Sequence, residues 1–323
     1  MNDLNEPRQT TIGGNSYGPL LSGRFEGPVG VSSQFNIYLD QVYPRVKYYA
    51  EIADLIRFYS DAFVGRKEAI GELLNCVTRR EPGYCLVEAP PGYGKTALIV
   101  QLIYQHKHNR WPNGKPTLLF HFVRQEGRRN TARDSLRSLN SQLLTTLNLP
   151  GGVPTEIEAL FAQFIDLWSG AVQLADGEHP LILLVDGLDE MSTLEPTVAQ
   201  VLPTLLTPYV HVVVTSRQNP AALEQVRIEH PFRQAQVIHL QQFGHTEVEE
   251  LLNLYRDPVS RDALFVEQLL HLTQGEPLFL RFLCQQVAEW GEKAKDKLTT
   301  LPKLKGVEDY FRQQLRQLLS NDN

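Results

Sequence analysis

Cysteine is scarce in this chain of 323 residues: Cys76, Cys85 and Cys284, with no C-x-x-C pair among them. Such sparse spacing argues against a zinc site or a disulfide framework, and reads as buried thiols of a reducing compartment, hence a cytoplasmic protein. Long hydrophobic runs are also missing. The longest aliphatic stretch, "LILLV" at 181–185, is far short of the roughly 20 residues a membrane-spanning helix needs, so no membrane partner is expected. The opening "MNDLNEPRQTT" lacks the basic start and apolar centre of a secretory signal. Basic charge is not in excess: 31 Lys and Arg against 37 Asp and Glu give a net charge of −6, so no global field attracts nucleic acid or anionic lipid. No internal repeat is visible. What remains is an ordinary soluble composition, 42% hydrophobic and 21% charged with mean hydropathy −0.26. The length suffices for two domains, or for one large domain with appendages.

The chain divides by pattern. Residues 1–36 carry six glycines and two prolines between Ile12 and Ser33 without helical period, which reads as a flexible leader. Residues 37–62 turn apolar and aromatic. Val46, Tyr49, Ile52, Ala53, Ile56 and Phe58 suit an amphipathic helix that packs on the next domain or faces a partner. From 63 to 243 strands and helices alternate. Strands are predicted at Cys85–Glu88, Thr117–Val123, Leu181–Asp186, His211–Ser216 and Gln236–Leu240, with helices at about 95–107, 132–147, 155–174 and 196–207. Alternation of this kind implies an α/β fold, a parallel sheet covered on both faces, with ligands at the carboxyl ends of its strands. Residues 244–320 show only helical pattern, at about 246–256, 259–273, 277–290 and 306–319, with "GEKAKDKLTTLPKLKG" as a polar connection before the last. That makes a small all-α domain.

The chemistry concentrates in "CLVEAPPGYGKTALIV", residues 85–100. A strand, a glycine-bearing turn and a helix in succession turn backbone N–H groups toward an anion at the helix N-terminus. Gly92 and Gly94 let the backbone curl where a Cβ would intrude. Lys95 would reach the β- and γ-phosphates, and the Thr96 hydroxyl would hold Mg²⁺. The nucleotide-binding set is therefore Pro91, Gly92, Tyr93, Gly94, Lys95, Thr96 and Ala97. The string departs from G-x-x-x-x-G-K-[ST] in one place: Ala89 stands where glycine usually begins it. Alanine forbids only conformations with positive φ, and the strand before and helix after the loop are intact.

A carboxylate is needed nearby, and "LILLVDGLDE" at 181–190 supplies it. A fully apolar strand delivers Asp186 to its carboxyl end, where it can bind Mg²⁺ through water. Asp189 or Glu190 can polarise an attacking water. Phosphoryl transfer needs little beyond positioning and charge neutralisation. The strand "VHVVVTSR" brings Thr215, Ser216 and Arg217 to the same crevice, where Arg217 can sense the γ-phosphate and stabilise charge.

With "FVGRKEAI" (63–70), "APPGYGKT" (89–96), "LLVDGLDE" (183–190), "VVVTSR" (212–217) and "GEPLFL" (275–280) in order, the chain resembles the signal-transduction ATPases with numerous domains (STAND). The NACHT branch, including bacterial modules of NOD-like-receptor type, fits "DGLDE" best. The resemblance covers residues 63 to about 319. It implies a P-loop NTPase sheet of the ASCE type with about five strands in the order 5-1-4-3-2, and a Mg²⁺-dependent, slow ATPase. It implies that Gly65 and Arg66 lie against the base and ribose, and that Pro277 presses on the adenine. It implies continuation into winged-helix and sensor domains in a longer parent chain, since "VEDYFRQQLRQLL" resembles the helix preceding the winged helix. The leader also resembles the amyloid-type signalling motifs before some bacterial and fungal signalling ATPases, which would make residues 1–36 a contact to an effector. Arg128, Arg129, Arg133 and Arg137 form a basic face, either solvated or a subunit contact.

The function these readings favour is an ATP/ADP switch that opens and forms a homo-oligomer on nucleotide exchange, in prokaryotic defence or signal transduction. An AAA-type remodelling ATPase is an alternative, disfavoured by the "DGLDE" variant and the lack of a clear arginine-finger segment. A transporter-type ATPase is disfavoured by the lack of L-S-G-G-Q. A non-hydrolysing nucleotide-binding scaffold is the third reading.

Overall fold

A computed structural model of the chain describes residues 47–60, 63–112, 114–125, 129–194, 196–218, 221–255 and 262–301, with 306, 309 and 312. The leader at 1–36, Val46, Arg128 and most of the expected helix at 306–319 lie outside the described residues.

Five strands form one all-parallel sheet: β1 (Gly83–Glu88), β2 (Thr117–Phe122), β3 (Leu181–Asp186), β4 (Val210–Ser216) and β5 (Gln236–His239). Their spatial order is β2-β3-β4-β1-β5, the expected 5-1-4-3-2 read from the other edge. Every residue of β3 and β4 is buried, as continuous apolar strands between two covered faces must be. The edge strand β5 is largely exposed. The other edge, β2, is closed by Gln142, whose side-chain oxygen accepts from Phe120 N at 3.0 Å and whose amide donates to Phe120 O at 2.8 Å. That satisfies backbone groups an edge strand would otherwise leave open.

Helices α1 (Lys47–Ser60), α2 (Lys67–Thr78), α3 (Lys95–Lys107), α4 (Ala132–Thr146) and α5 (Ile157–Val172) cover the sheet or pack on its helices. The expected amphipathic lead-in is α1, which packs on α3 and buries Ile56. Thr131 starts α4, its hydroxyl accepting from Asp134 N at 3.2 Å. Leu136, Leu139, Phe164 and Trp168 from α4 and α5 form a core with Leu183, Val185, Val212 and Val214 of the sheet.

The helix expected at 196–207 does not form; only a single turn at Ala199–Val201 is helical. Pro203 is the reason. Its ring excludes the helical conformation from Leu202, which is extended (φ −63°, ψ 144°). A four-residue helix, α6 (Ala222–Gln225), follows β4. After β5 come α7 (His245–Leu254), α8 (Ala263–Thr273), α9 (Pro277–Trp290) and α10 (Ala294–Thr300). The segment read as a polar connection thus contains α10, because Ala294 and Leu298 complete a second core with Leu251, Phe265, Phe279 and Leu283.

The cysteines also differ from expectation. Cys76 of α2 and Cys85 of β1 are joined in a disulfide, while Cys284 is a buried free thiol. The nine-residue separation suggested no pairing, but α2 runs back along the sheet and brings one buried sulfur against the other.

Candidate functional site

The loop between β1 and α3 lies at the carboxyl edge of the sheet and opens on a cavity of about 250 Å³. Gly92 (φ 81°) and Gly94 (φ 85°) are both left-handed, as expected of a loop that curls its amides around an anion. Ala89 is not among the residues with positive φ; it is buried, and its N–H donates to Ser216 O at 3.3 Å. The missing glycine therefore costs the loop nothing in backbone strain. Lys95 Nζ donates to the loop's own carbonyls, Ala89 O at 2.7 Å and Pro90 O at 3.1 Å. Among the described residues no carboxylate pairs with it, and burial, partly offset by Asp189 and Asp186, lowers its pKa. A half-buried ammonium held only by carbonyls beside a glycine cradle fits a phosphate group.

Asp186 is fully buried, and both its oxygens are engaged. Thr96 donates to Oδ2 at 2.8 Å and Thr215 donates to Oδ1 at 2.6 Å, while Gly187 N donates to the Thr215 hydroxyl at 2.8 Å. This follows from topology: β4 lies between β1 and β3, so a residue at its carboxyl end is beside both. Among the described residues no cluster of three or more His, Cys, Asp or Glu could hold a metal unaided. Thr96 and Asp186 still fit Mg²⁺, a hard cation that takes one or two protein oxygens and draws the rest from phosphate and water.

Asp189 Oδ2 pairs with Arg217 Nε at 2.8 Å, and Asp189 Oδ1 accepts from Arg217 N at 3.2 Å. Glu190 faces the same cavity, its pKa raised by burial and held back by Arg124. Thus the residues expected at the site, Lys95, Thr96, Asp186, Asp189, Glu190 and Arg217, all line one cavity.

Arg66 lines it too, but its side chain serves as a strut. The guanidinium donates to Gln241 O at 2.5 Å and Tyr93 O at 2.9 Å and stands over the Phe243 ring at 4.6 Å; burial lowers its pKa to about 10. Gly65 is tied by its N–H to Glu250 of α7 at 2.8 Å. Pro277 opens α9 at the cavity wall, and the next residue's amide, Leu278 N, donates to Gly92 O at 3.1 Å. Of the basic face, Arg133 and Arg137 are exposed on α4, and Arg133 donates to Thr155 O. Arg129 is partly buried, and its carbonyl meets His121.

Sequence reasoning did not single out Tyr59, Arg124 and Arg281 as cavity residues. Tyr59 comes from α1 and its pKa is raised by burial. Arg124 stands two residues past β2. The rule that parallel sheets bind ligands at strand carboxyl ends could have marked it.

The family model of the NACHT domain matches residues 83–257. Among solved structures, the Walker-type ATPase of Pyrococcus abyssi is 15% identical, with 80% of this chain and 76% of that one covered and a TM-score of 0.49. Cdc6p from Pyrobaculum aerophilum is 13% identical over 75% of this chain and 65% of that one, with a TM-score of 0.47. The ORC1 protein of Aeropyrum pernix, solved in complex with DNA, is 13% identical over 79% and 66%, with a TM-score of 0.48. Among curated proteins, none matches the chain.

Proposed function

Because the chain belongs to the NACHT family, we propose that it is a nucleotide-controlled signalling switch that binds ATP or ADP with Mg²⁺ and hydrolyses ATP slowly. The observation that carries this reading is the 3.1 Å bond from Leu278 N to Gly92 O. Through it the first turn of α9 is attached to the phosphate loop itself, so a ligand that reshapes the loop acts directly on the α7–α10 segment. A switch needs an element whose two arrangements bind the nucleotide differently.

Bound Mg²⁺–ATP supplies the transferable phosphoryl group and the cation that offsets its charge. The chain's own residues do the rest. Lys95 exchanges the carbonyls of Ala89 and Pro90 for phosphate oxygens. Thr96 and Asp186 would hold the metal through the Thr96 hydroxyl and an Asp186 carboxylate oxygen. Glu190, whose carboxyl is pushed up by burial, orients the attacking water and takes its proton. Arg217 stays paired with Asp189 until negative charge arrives beside it. Pro277 closes over the base, with Gly65 and Arg66 supporting the opposite wall.

In this reading exchange of ADP for ATP releases the α7–α10 segment and exposes surfaces for homo-oligomer assembly, in prokaryotic defence or signal transduction. Residues 1–36 contact an effector.

The test combines ATP turnover with sedimentation in ADP and in a non-hydrolysable ATP analogue, for the full chain, Lys95→Ala and Glu190→Gln. A switch turns over slowly, sediments as a compact monomer with ADP and changes shape or associates with the analogue. Rapid turnover by a pre-formed ring, insensitive to the nucleotide state, would overturn it in favour of a remodelling ATPase.

A further inference from the structure

The guanidinium of Arg124 occupies the position where the metal is expected. Its Nη2 is 2.7 Å from Asp186 Oδ2 and 2.8 Å from Thr96 Oγ1, and its Nη1 is 3.1 Å from Glu190 Oε1 and 3.0 Å from Val123 O. These are the oxygens that the site offers to a divalent cation and to the water beside it. The seat is shaped for the side chain. A Cβ at Gly187, which is left-handed (φ 78°), would lie 2.6 Å from Arg124 Nη1 and 2.9 Å from Val123 O. The left-handed backbone and the Val123 carbonyl already require glycine here, and its lack of a Cβ leaves the guanidinium undisturbed. The β2–β3 register, Phe122 opposite Asp186, sets Arg124 just past the end of the neighbouring strand, within side-chain reach of Asp186.

We propose that Arg124 is a built-in competitor of the divalent cation, seated on Thr96, Asp186 and Glu190 when no metal is bound and displaced when the metal–nucleotide enters. A planar cation and a divalent ion cannot share Asp186 Oδ2 and Thr96 Oγ1, since both need the same lone pairs and repel each other. An adjacent guanidinium lowers a carboxylate's affinity for a proton by one to three orders of magnitude, and the same electrostatics act against a metal ion. Arg124 is thus a positioning residue. It keeps Asp186 and Glu190 compensated without metal and makes loading depend on ligands that bring phosphate oxygens with them. Bare metal alone would be a weak competitor. Linked to this, Arg124 must find a new partner when displaced, and the incoming phosphates are the nearest anions available.

This inference rests on Thr96 and Asp186 being the metal-binding pair, and the experiment separates the two. Binding of Mn²⁺, a paramagnetic substitute for Mg²⁺, is measured by electron paramagnetic resonance on the nucleotide-free full chain and again with ADP. Wild type, Arg124→Gln, Arg124→Lys and Asp186→Asn are compared. The expected result is that Arg124→Gln binds Mn²⁺ without nucleotide about tenfold or more tightly than wild type, with Arg124→Lys between them. Equal Mn²⁺ affinity for wild type and Arg124→Gln, while Asp186→Asn loses Mn²⁺, would overturn the role of Arg124 and leave the metal pair standing. Unchanged Mn²⁺ binding with ADP in Asp186→Asn would instead overturn the metal pair. A second readout needs no substitution. Phenylglyoxal modification of wild type, mapped by mass spectrometry, should spare Arg124 in the metal-free protein and label it once Mn²⁺ is raised high enough to saturate the nucleotide-free site, as followed by electron paramagnetic resonance; equal labelling in the metal-free and Mn²⁺-saturated states would also overturn the proposal.

Discussion

Leu278 donates its backbone N–H to the carbonyl of Gly92 at 3.1 Å, joining the first turn of α9 to the glycine of the phosphate loop. The same glycine faces α9 with no side chain of its own. A Cβ there would stand 2.9 Å from Glu276 Oε1 and 3.3 Å from Leu278 Cβ.

Gly92→Ala should therefore be costly twice over, through the left-handed φ of 81° and through the contact with Leu278. We expect a loss of about 1–3 kcal/mol in chemical unfolding, together with weaker ADP binding in calorimetry. Gly151→Ala, left-handed but with nothing within 4 Å, should weaken stability without affecting ADP.

Lys95→Ala removes a partly buried ammonium that meets only carbonyls in this structure. Without nucleotide its melting temperature should be close to wild type. With ADP at about a hundred times the wild-type Kd, wild type should gain about 2.7 kcal/mol and the variant almost none. A thermal-shift series in ADP measures this directly.

Arg217→Ala breaks an ion pair with Asp189 whose arginine side chain is 59% exposed. Exposed pairs contribute under about 1 kcal/mol, so stability should barely change. ATP turnover should fall if Arg217 stabilises transferred charge; a turnover equal to wild type would remove Arg217 from the machinery.

His121 and His211 are buried on β2 and β4, and burial lowers each imidazole to about 4. His211 meets Arg79 O at 3.0 Å through Nε2, and its Nδ1 has no partner to receive a proton's charge. The unfolded chain, with imidazoles near 6.5, binds more protons between about pH 4 and 6.5. Stability is therefore fully present above that window and is lost as pH falls through it, by up to roughly 3 kcal/mol per imidazole at the acid end. Urea unfolding at pH 7, 5.5 and 4.5 should show this decline, and His211→Gln should flatten it.

The Cys76–Cys85 disulfide closes a short loop between α2 and β1. Reduction should lower stability by about 2.5 kcal/mol on a chain-entropy estimate. Thiol titration of the unfolded protein should count one free cysteine before reduction and three after it.

Several features of the site were legible from short contiguous runs. β3 was readable because a fully buried central strand must be apolar throughout, and its end placed Asp186. The loop at 92–96 was readable because strand, glycines and Lys95–Thr96 are neighbours in the chain. Pro203 was readable too, yet the apolar spacing around it suggested a helix; steric restriction of Leu202 decided against it.

The sequence by itself thus determined which segments would be strands and marked the residues, Lys95, Thr96 and Asp186 among them, that the fold gathers around one cavity, since those depend on local pattern. Only the tertiary structure decided the partners. Arg124 reaches Asp186 across 62 positions and Gly65 reaches Glu250 across 185, contacts that exist because parallel strands end side by side and α7 folds back onto the entry segment. Thr215 holds Asp186 because β4, later in the chain than either, inserts between β1 and β3. Hydrophobic pattern specifies which face of each element is buried; it does not specify which distant side chain fills the space beside a carboxylate. That depends on sheet order and register, and these arise only when the whole chain packs.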